Sequence, residues 1–221
     1  MGLLISFIII VLWTLHLSYS LFFFEFSFSS IFSYLHMLIQ AYLFTGLFIT
    51  AHDAMHGNIS AKPKLNHFIG KLSSSLYACL SYKKLLKNHY AHHKFAGTAE
   101  DPDYTVKNQN FLMWWFSFMK KYTTIMQLLC MAVIYNILKL FTAETNIIFL
   151  WVIPAFLSTF QLFYFGTYRP HKLPHTPEMK PHNARSQKKN LLWGMLSCYF
   201  FGFHYEHHEA PRTPWWKLYT Q

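Results

Sequence analysis

Histidine is the residue type whose abundance and spacing indicate chemistry in this chain. The 221 residues include 14 histidines, against nine aspartates and glutamates together. Eight of the histidines form three clusters: His52 and His56; His89, His92 and His93; His204, His207 and His208. Residues three or four apart share one face of a helix, so the imidazoles of each cluster should point in one direction. Neutral imidazole binds iron, zinc, copper and nickel, and eight such ligands are too many for one ion. The clusters therefore predict two metal ions.

Four acidic residues lie within or beside the histidine clusters. They are Asp53, Asp101, Asp103 and Glu206. Carboxylates close to metal-bound histidines often accept the second ring N–H and so fix the orientation of the ring. The same residues could instead balance charge on a solvated face. Both interpretations stay open from the sequence, and ligand type alone does not identify the metal.

Long apolar runs identify the elements that must position the histidines. Four runs, at about residues 3–24, 31–50, 122–141 and 147–166, contain at most one formal charge each. At about 1.5 Å per residue, each run can cross a hydrocarbon core of about 30 Å, where the backbone must be helical. We predict an all-α integral membrane protein with four transmembrane helices in two hairpins. The whole chain, residues 1–221, would form one domain, and Pro154 would kink the fourth helix.

Composition agrees with a membrane protein and excludes other classes. Hydrophobic residues make up 53% of the chain and charged residues only 13%, which is about half the charged share of a soluble domain. Disordered chains need few aromatic residues, whereas this chain has 20%. The three cysteines lie singly in apolar stretches and indicate neither a disulfide framework nor a metal site. We expect no nucleic-acid partner, because membrane topology explains the formal charge of +10.

The distribution of basic residues predicts the orientation of the chain. Eighteen of the 19 Lys and Arg residues lie on the side of the predicted spans that carries both termini, and the exception is Lys139. Positive loops stay in the cytoplasm, so both termini and the three clusters should lie there as a histidine-rich cap holding the two metals. Two shorter apolar pieces, at 68–82 and 191–203, predict re-entrant or interfacial helices. His16 and His36 lie at similar depth in the first two spans and could pair.

The three histidine motifs on membrane hairpins resemble the histidine-box superfamily of membrane di-iron enzymes. This superfamily includes fatty-acid desaturases, alkane hydroxylases and carotenoid-modifying oxygenases. The flanking sequence, from about Ile49 onward, is similar to that of the bacterial β-carotene 4-ketolases. The similarity lies in HDAMHG at 52–57, GT at 97–98, DPDY at 101–104, FGTYRPH at 165–171, EHHE at 206–209 and PWWKL at 214–218. Tyr219 departs from the proline expected after the last motif.

The resemblance implies a cofactor, a reaction and one more ligand. The cofactor would be two non-haem iron ions with O2 as co-substrate. The reaction would add 4-keto groups to β-ionone rings, from β-carotene through echinenone to canthaxanthin, by two successive hydroxylations and a dehydration. His171 would be a ninth metal ligand, and His175 and His182 in the same proline-rich loop are competitors for that role. The resemblance also favours a bacterial inner membrane.

Electrons for such a reaction must come from another protein. The sequence contains no nucleotide-binding glycine motif and no iron–sulfur cysteine set. A ferredoxin-type donor is therefore expected. A basic face could steer an acidic donor or, equally, bind anionic lipid headgroups. The lysines concerned are Lys83, Lys84, Lys87, Lys188 and Lys189.

The sequence also contains a group of aromatic residues that bears on substrate binding. The aromatic residues could line a carotenoid path, but we expect them to be lipid-facing bulk; they are Phe111, Trp114, Trp115, Phe116, Phe160, Phe163, Tyr164 and Phe165.

The nearest rival function is a carotenoid ring hydroxylase or fatty-acid desaturase of the same superfamily. A non-catalytic metal carrier would place polar residues along a path through the bilayer, whereas these spans are nearly bare of them.

Overall fold

The computed structural model describes all 221 residues and consists of helices and their connections. The helices are α1 (Gly2–Phe22), α2 (Ile31–Met55), α3 (Pro63–Ala78), α4 (Tyr82–Phe95), α5 (Phe111–Tyr122), α6 (Ile125–Leu138), α7 (Glu144–His171), α8 (Leu191–Cys198) and α9 (His204–Glu209). Two short 3-10 turns follow α7 and α9, at Pro177–Met179 and Trp215–Thr220. Helices α1, α2 and α7 are long and apolar enough to cross a membrane. The predicted all-helical class is confirmed.

The third predicted span differs from the structure. Helix α6 has only 14 residues, and a break at Thr123–Thr124 bends it by 91° from α5. Both threonines are extended, and the Thr124 side chain accepts a hydrogen bond from Gln127 N–H, which starts a new helix. A β-branched pair with a capping hydroxyl favours this interruption. The run predicted at 122–141 therefore contains a helix shorter than the 20 residues expected, and a fourth span exists only if α5 and α6 together count as one.

Helix α7 carries the fourth predicted span and continues to His171. It contains two π-helical segments, Ile148–Val152 and Tyr164–Tyr168. The first segment ends just before Pro154, with Ile153 N–H donating to the carbonyl of Ile148. Proline removes one backbone donor from a helix, and the wider turn before it accommodates the ring. The second segment lies directly before His171, where π-helical turns often mark functional sites.

Helix α2 is the centre of the fold. It packs against α1, α3 and α7, and its residues Phe44, Leu47 and Ile49 are fully buried. Trp13 of α1 and Tyr77 of α3 meet the Phe44 ring edge-on, at centroid distances of 5.4 and 5.5 Å. Because α2 ends at His52–His56, this packing fixes where the first histidine cluster emerges.

Polar side chains join the apolar helices. Thr45 of α2 hydrogen-bonds Ser158 of α7 at 2.9 Å, and Tyr77 of α3 donates to Ser158 at 3.1 Å. Between α1 and α2, His16 Nε2 lies 3.0 Å from His36 Nδ1, which confirms the predicted pairing of these two residues. Buried polar groups need such partners, since an unpaired one costs about 1–3 kcal/mol.

Asn146 gives a test of how the ends of the helices are held together. Its amide is buried; Oδ1 accepts from Phe26 N–H at 3.0 Å, and Nδ2 donates to Phe24 O at 2.6 Å. Asn146→Ala would leave these backbone groups unpaired, so we expect a loss of about 1–3 kcal/mol in unfolding free energy. Thermal unfolding in detergent measures it. The control is Asn136→Ala, whose exposed amide bonds only its own helix; equal stability of the two variants would contradict the prediction.

Candidate metal centre

The structure brings eight of the nine predicted histidine ligands into two groups of four. In the first histidine group, the ligand nitrogens of His52, His56, His89 and His207 all lie within 4.8 Å of one another. In the second histidine group, the same holds for His92, His171, His204 and His208. Each group draws residues from helices far apart in sequence. Four imidazoles converging at this spacing match the ligand requirement of one metal ion.

His93 contacts both histidine groups. Its Nε2 lies 2.9 Å from His207 Nε2, and its ring stacks on His208 with a centroid distance of 4.3 Å. Neighbouring residues of one sequence cluster therefore separate, because His89 belongs to the first group, His92 belongs to the second and His93 lies between them. The spacing of the clusters could not predict this division, which depends on how α4 and α9 cross.

Nitrogen atoms face one another within each group. His56 Nε2 and His89 Nε2 are 2.6 Å apart in the first group. In the second, His208 Nε2 lies 3.1 Å from His204 Nε2 and 3.2 Å from His92 Nε2. A single proton can satisfy only one such contact, whereas a cation between the rings would accept a lone pair from each. The convergence of these atoms fits a metal ion at each group.

Two ring tautomers are set by partners outside the groups. His92 Nδ1 lies 3.0 Å from both carboxylate oxygens of Asp101, and His171 Nδ1 donates to the carbonyl of Asn183 at 3.0 Å. With its proton on Nδ1, each ring presents the Nε2 lone pair to the second group. His171 Nε2 is buried with no hydrogen-bond partner, and so is His52 Nε2 in the first group. Unpartnered buried nitrogens of this kind are what a metal ligand needs.

Most of the imidazoles in and between the two groups are held neutral by their surroundings, and His92 is the exception. Burial, followed by the neighbouring histidines, lowers the pKa of His93 to about 2. The same causes lower the pKa of His204, His207 and His208 well below the ordinary value. Only the neutral ring has a free lone pair, so the site is set up for metal binding rather than for charge.

Asp101 is the acidic residue most directly connected to the histidines. Besides His92, its carboxylate accepts hydrogen bonds from Gly97 N–H and Asp103 N–H at 2.9 and 2.8 Å. Burial would raise the pKa of Asp101, but His92 and these donors lower it overall. In return, Asp101 raises the pKa of His92 against the effect of burial. An ionised Asp101 therefore fixes the orientation of the His92 ring, and its role toward a metal-bound ring stays a prediction.

The other predicted acids have different partners. Asp53 accepts from Trp215 N–H at 3.2 Å and lies 3.9 Å from His52 Nδ1, so it connects the first cluster to the C-terminal tryptophans. Glu206 accepts a hydrogen bond from the Ser186 hydroxyl. Asp103 accepts one from the Tyr122 hydroxyl at 2.5 Å. It stays a prediction that Asp53, Asp103 and Glu206 orient metal-bound histidines without binding the metal themselves.

The two competing histidines lie beside the second group. His175 Nε2 donates to the backbone carbonyl of His171 at 2.9 Å. His182 Nε2 lies 2.9 Å from Glu209 Oε2, and its ring centroid is 5.6 Å from that of His208. The structure thus places His171, rather than either neighbour, with its nitrogen in the second group.

A cavity of about 450 Å³ begins at the histidines and extends between the helices. Its lining includes His52, His89, His92 and His204, and also Tyr135 and Trp151. Thr167, near the histidines, and Trp151 are 16 residues apart on α7, or about 24 Å along its axis. The lining is mainly apolar, and a long, apolar, membrane-dissolved molecule could reach both histidine groups through it.

The eight aromatic residues proposed from the sequence do not line this cavity. Phe116 and Tyr164 are exposed on the surface, as expected of lipid-facing residues. Trp114, Trp115 and Phe163 instead form a small buried cluster with Tyr104. Phe201 was not predicted to belong to the site. Its ring lies against His52 and His204, with centroid distances of 4.8 and 5.3 Å. Nothing in its apolar sequence surroundings distinguishes Phe201 from other core residues.

Asp101→Asn tests whether the carboxylate orients a metal-binding ring. Asparagine has similar size but no charge and only one acceptor oxygen, so the His92 ring loses its fixed orientation. We expect about 10- to 100-fold weaker metal retention against a chelator. Metal content by elemental analysis measures it, and Glu100→Gln, an exposed neighbour bonded only to Thr98, is the control. Equal metal retention by Asp101→Asn and wild type would contradict the prediction.

The fatty acid desaturase family model matches residues 29–148 and 121–220. The chain belongs to the fatty acid desaturase family. No solved structure matches it.

Several members of this family with ketolase names are similar to the chain. A zeaxanthin 4-ketolase from Chlamydomonas reinhardtii is 43% identical over 80% of this chain and 41% of its own length. A beta-carotene 4-ketolase from Protosiphon botryoides is 40% identical over 80% of this chain and 48% of its own. A beta-carotene ketolase from Paracoccus sp. (strain N81106 / MBIC 01143) is 38% identical, covering 80% and 74%. The chain thus spans about half the length of the algal relatives.

Proposed function

We propose that this desaturase-family protein is an O2-dependent di-iron carotenoid 4-ketolase acting on β-ionone rings. The observation that carries the proposal is the convergence of eight histidines into two four-nitrogen groups at one end of a long apolar cavity. The names of the similar ketolases supply the substrate class and the ring position. Two irons bound at these groups would supply O2 activation and the oxidation of an allylic C–H bond of the ring, which side chains cannot perform.

The overall reaction consists of two oxygenations and one dehydration at a ring carbon. Each oxygenation consumes O2, two electrons and two protons, inserts one oxygen atom into a C–H bond and releases the other as water. The first converts the ring CH2 to an alcohol, and the second converts the alcohol to a geminal diol. Loss of water from the diol leaves the ketone. Repetition on the second ring would convert β-carotene through echinenone to canthaxanthin.

The residues of this chain would bind the metals, orient the ligands and position the ring. We propose the metal ligands to be His52, His56, His89, His92, His93, His171, His204, His207 and His208. Asp101 fixes the His92 ring, and the Asn183 carbonyl fixes the His171 ring. The apolar cavity holds the polyene and keeps bulk water from the reacting carbon. Positioning of that carbon close to the oxidant is the main contribution expected of the protein.

The topology and the electron donor are part of the same proposal. The chain would form one membrane-embedded domain, with α1–α2 and α6–α7 as hairpins and both termini and the metal centre in the cytoplasm. The asymmetric distribution of Lys and Arg supports this orientation. A ferredoxin-type protein would deliver the electrons at the basic cytoplasmic face. A bacterial inner membrane is the proposed location.

Expression in a host that accumulates β-carotene tests the function. We expect echinenone and canthaxanthin to appear in the pigment extract and about two irons per purified chain. Rings hydroxylated at C3 would indicate a ring hydroxylase, and altered fatty acids with unchanged pigments would indicate a desaturase. Iron-loaded protein without any ketone product would overturn the proposal.

A further inference from the structure

The cavity wall beside the histidines contains a buried polar pair that is not among the proposed metal ligands. Asp103 and Tyr122 both line the cavity, together with His89 and His92. The Tyr122 hydroxyl donates to Asp103 Oδ1 at 2.5 Å. Asp103 is nine-tenths buried, with 9% of its surface exposed. A buried carboxylate facing an apolar cavity is costly unless something there uses it.

The pair lies close to His92, one of the proposed metal ligands. A carboxylate oxygen of Asp103 and a ring nitrogen of His92 lie within 4.8 Å of each other, and both residues line the same cavity. A second link runs through the backbone, because Asp103 N–H donates to Asp101, which fixes the His92 ring. A ring carbon placed for reaction must lie close to metals held by these histidines. An oxygen atom on that carbon would therefore face Asp103 and Tyr122.

The chemistry of the pair selects for a hydroxyl group. Tyr122 already donates its proton to Asp103 Oδ1, so both residues offer only lone pairs to the cavity, including those of the second carboxylate oxygen. An alcohol can donate its O–H to such acceptors in a charge-assisted hydrogen bond. The hydrocarbon ring cannot donate, and a ketone presents lone pairs of its own. The pair should favour the alcohol over both the starting ring and the final ketone.

We propose that Asp103 and Tyr122 bind the hydroxyl of a singly oxygenated ring and retain it for the second oxygenation. The inference rests on the proposed ketolase function and deepens it. Retention of the alcohol would make two turnovers follow one binding event, and loss of the O–H donor on ketone formation would favour release. The pair would act as positioning residues, with the oxidation itself occurring at the metal centre. Electrons and O2 are supplied as in each oxygenation above.

The rival explanation is structural. Tyr122 ends α5 at the sharp bend before α6, and Lys121 also bonds the carbonyl of Pro102. The pair could simply hold this bend in place. A structural role would impair the oxidation of hydrocarbon and alcohol rings alike, whereas a hydroxyl-binding role would impair the alcohol selectively. The experiment therefore compares two substrates in one variant.

Asp103→Asn in the iron-loaded protein, supplied with its electron donor, is the main test. We expect the KM for a 4-hydroxylated carotenoid to rise roughly tenfold relative to the KM for β-carotene, the effect of losing one hydrogen bond to a charged group. Free 4-hydroxy product should accumulate. Tyr104→Phe is the control, since it removes a neighbouring phenol hydroxyl that does not line the cavity. Tyr122→Phe, which removes the second acceptor but keeps the carboxylate, should change the ratio of the two KM values in the same direction by a smaller factor.

Further measurements separate the possible failures. Wild-type protein should bind the 4-hydroxy carotenoid more tightly than β-carotene, a result that does not depend on how the variants fold. Equal binding of the two carotenoids, or equal losses on both substrates in Asp103→Asn, would overturn the inference. Tighter binding of 3-hydroxylated but not of 4-hydroxylated carotenoids would also overturn the inference. The pair would then recognise a hydroxyl that the substrate already carries, rather than the one that the first oxygenation adds. Wild-type protein that makes neither alcohol nor ketone would instead overturn the proposed function.

Discussion

Replacing His207 by alanine should abolish both iron loading at the first histidine group and ketone formation. The His207 ring lies 4.5 Å from that of His52 between centroids, and its Nε2 is 2.9 Å from His93 Nε2. Substitution of a residue that only orients a metal ligand lowers metal affinity or activity about 10- to 100-fold. Loss of a direct ligand should therefore lower metal affinity at least ~100-fold. We expect iron to fall from about two per chain to one or fewer, with echinenone and canthaxanthin below detection.

The control for this prediction is a histidine outside both groups. His67 of α3 is paired with the Tyr82 hydroxyl at 3.2 Å, so His67→Ala removes an imidazole without touching the centre. It should keep wild-type iron content and pigment conversion. Elemental analysis of purified protein and chromatography of extracted carotenoids measure the two outcomes. A His207→Ala protein that retains two irons and full activity would contradict the proposed ligand role.

The spacing of the histidines in the sequence predicted their relative positions where helical periodicity alone decides them. His204 and His208 are four residues apart on α9 and lie in one group, with their Nε2 atoms 3.1 Å apart. His171 could be suggested only from family resemblance, since His175 and His182 lie in the same loop. The structure distinguishes it because its Nδ1 is held by the Asn183 carbonyl. Such a long-range backbone partner leaves no signal in the spacing of residues.

The membrane-spanning elements were predictable to the extent that apolar length defines them. Helices α1, α2 and α7 fall where uncharged runs of 20 residues or more indicate them. The bend between α5 and α6 was missed because hydropathy does not register backbone conformation, and two threonines interrupt the helix without adding charge. This bend has a consequence for the site, since it places Tyr122 on the cavity wall beside Asp103.

Partners of the acidic residues were the least predictable feature. Asp101 and Asp103 are two residues apart in one motif, yet one carboxylate faces His92 and the other faces Tyr122. A turn after α4 separates them, and Asp103 N–H bonds back to Asp101. Side-chain direction in an irregular loop depends on such local hydrogen bonds. Residue type and spacing indicated that the acids matter, but not which atom each one contacts.

Gly166→Ala should severely reduce ketone formation by displacing Phe201 beside the metal centre. A Cβ at position 166 would lie 2.1 Å from Phe201 Cε1 and 2.9 Å from its Cδ1. Real Cβ atoms do not approach so closely, so the buried Phe201 ring would have to move. It lies against His52 and His204, and the cavity is the other space near it. Overpacking of this kind costs about 1–3 kcal/mol in stability, and we expect at least ~10-fold less ketone.

A second substitution should restore the lost space. Phe201→Leu removes the Cε1 and Cζ atoms that the new methyl group would contact, so the double variant should regain stability and part of its ketone yield relative to Gly166→Ala. The four proteins form a double-mutant cycle, measured by thermal unfolding in detergent and by pigment analysis. Positive coupling is expected because the two sites share one contact. Additive effects of the two substitutions would show that Gly166 is required for some other reason than room for the Phe201 ring.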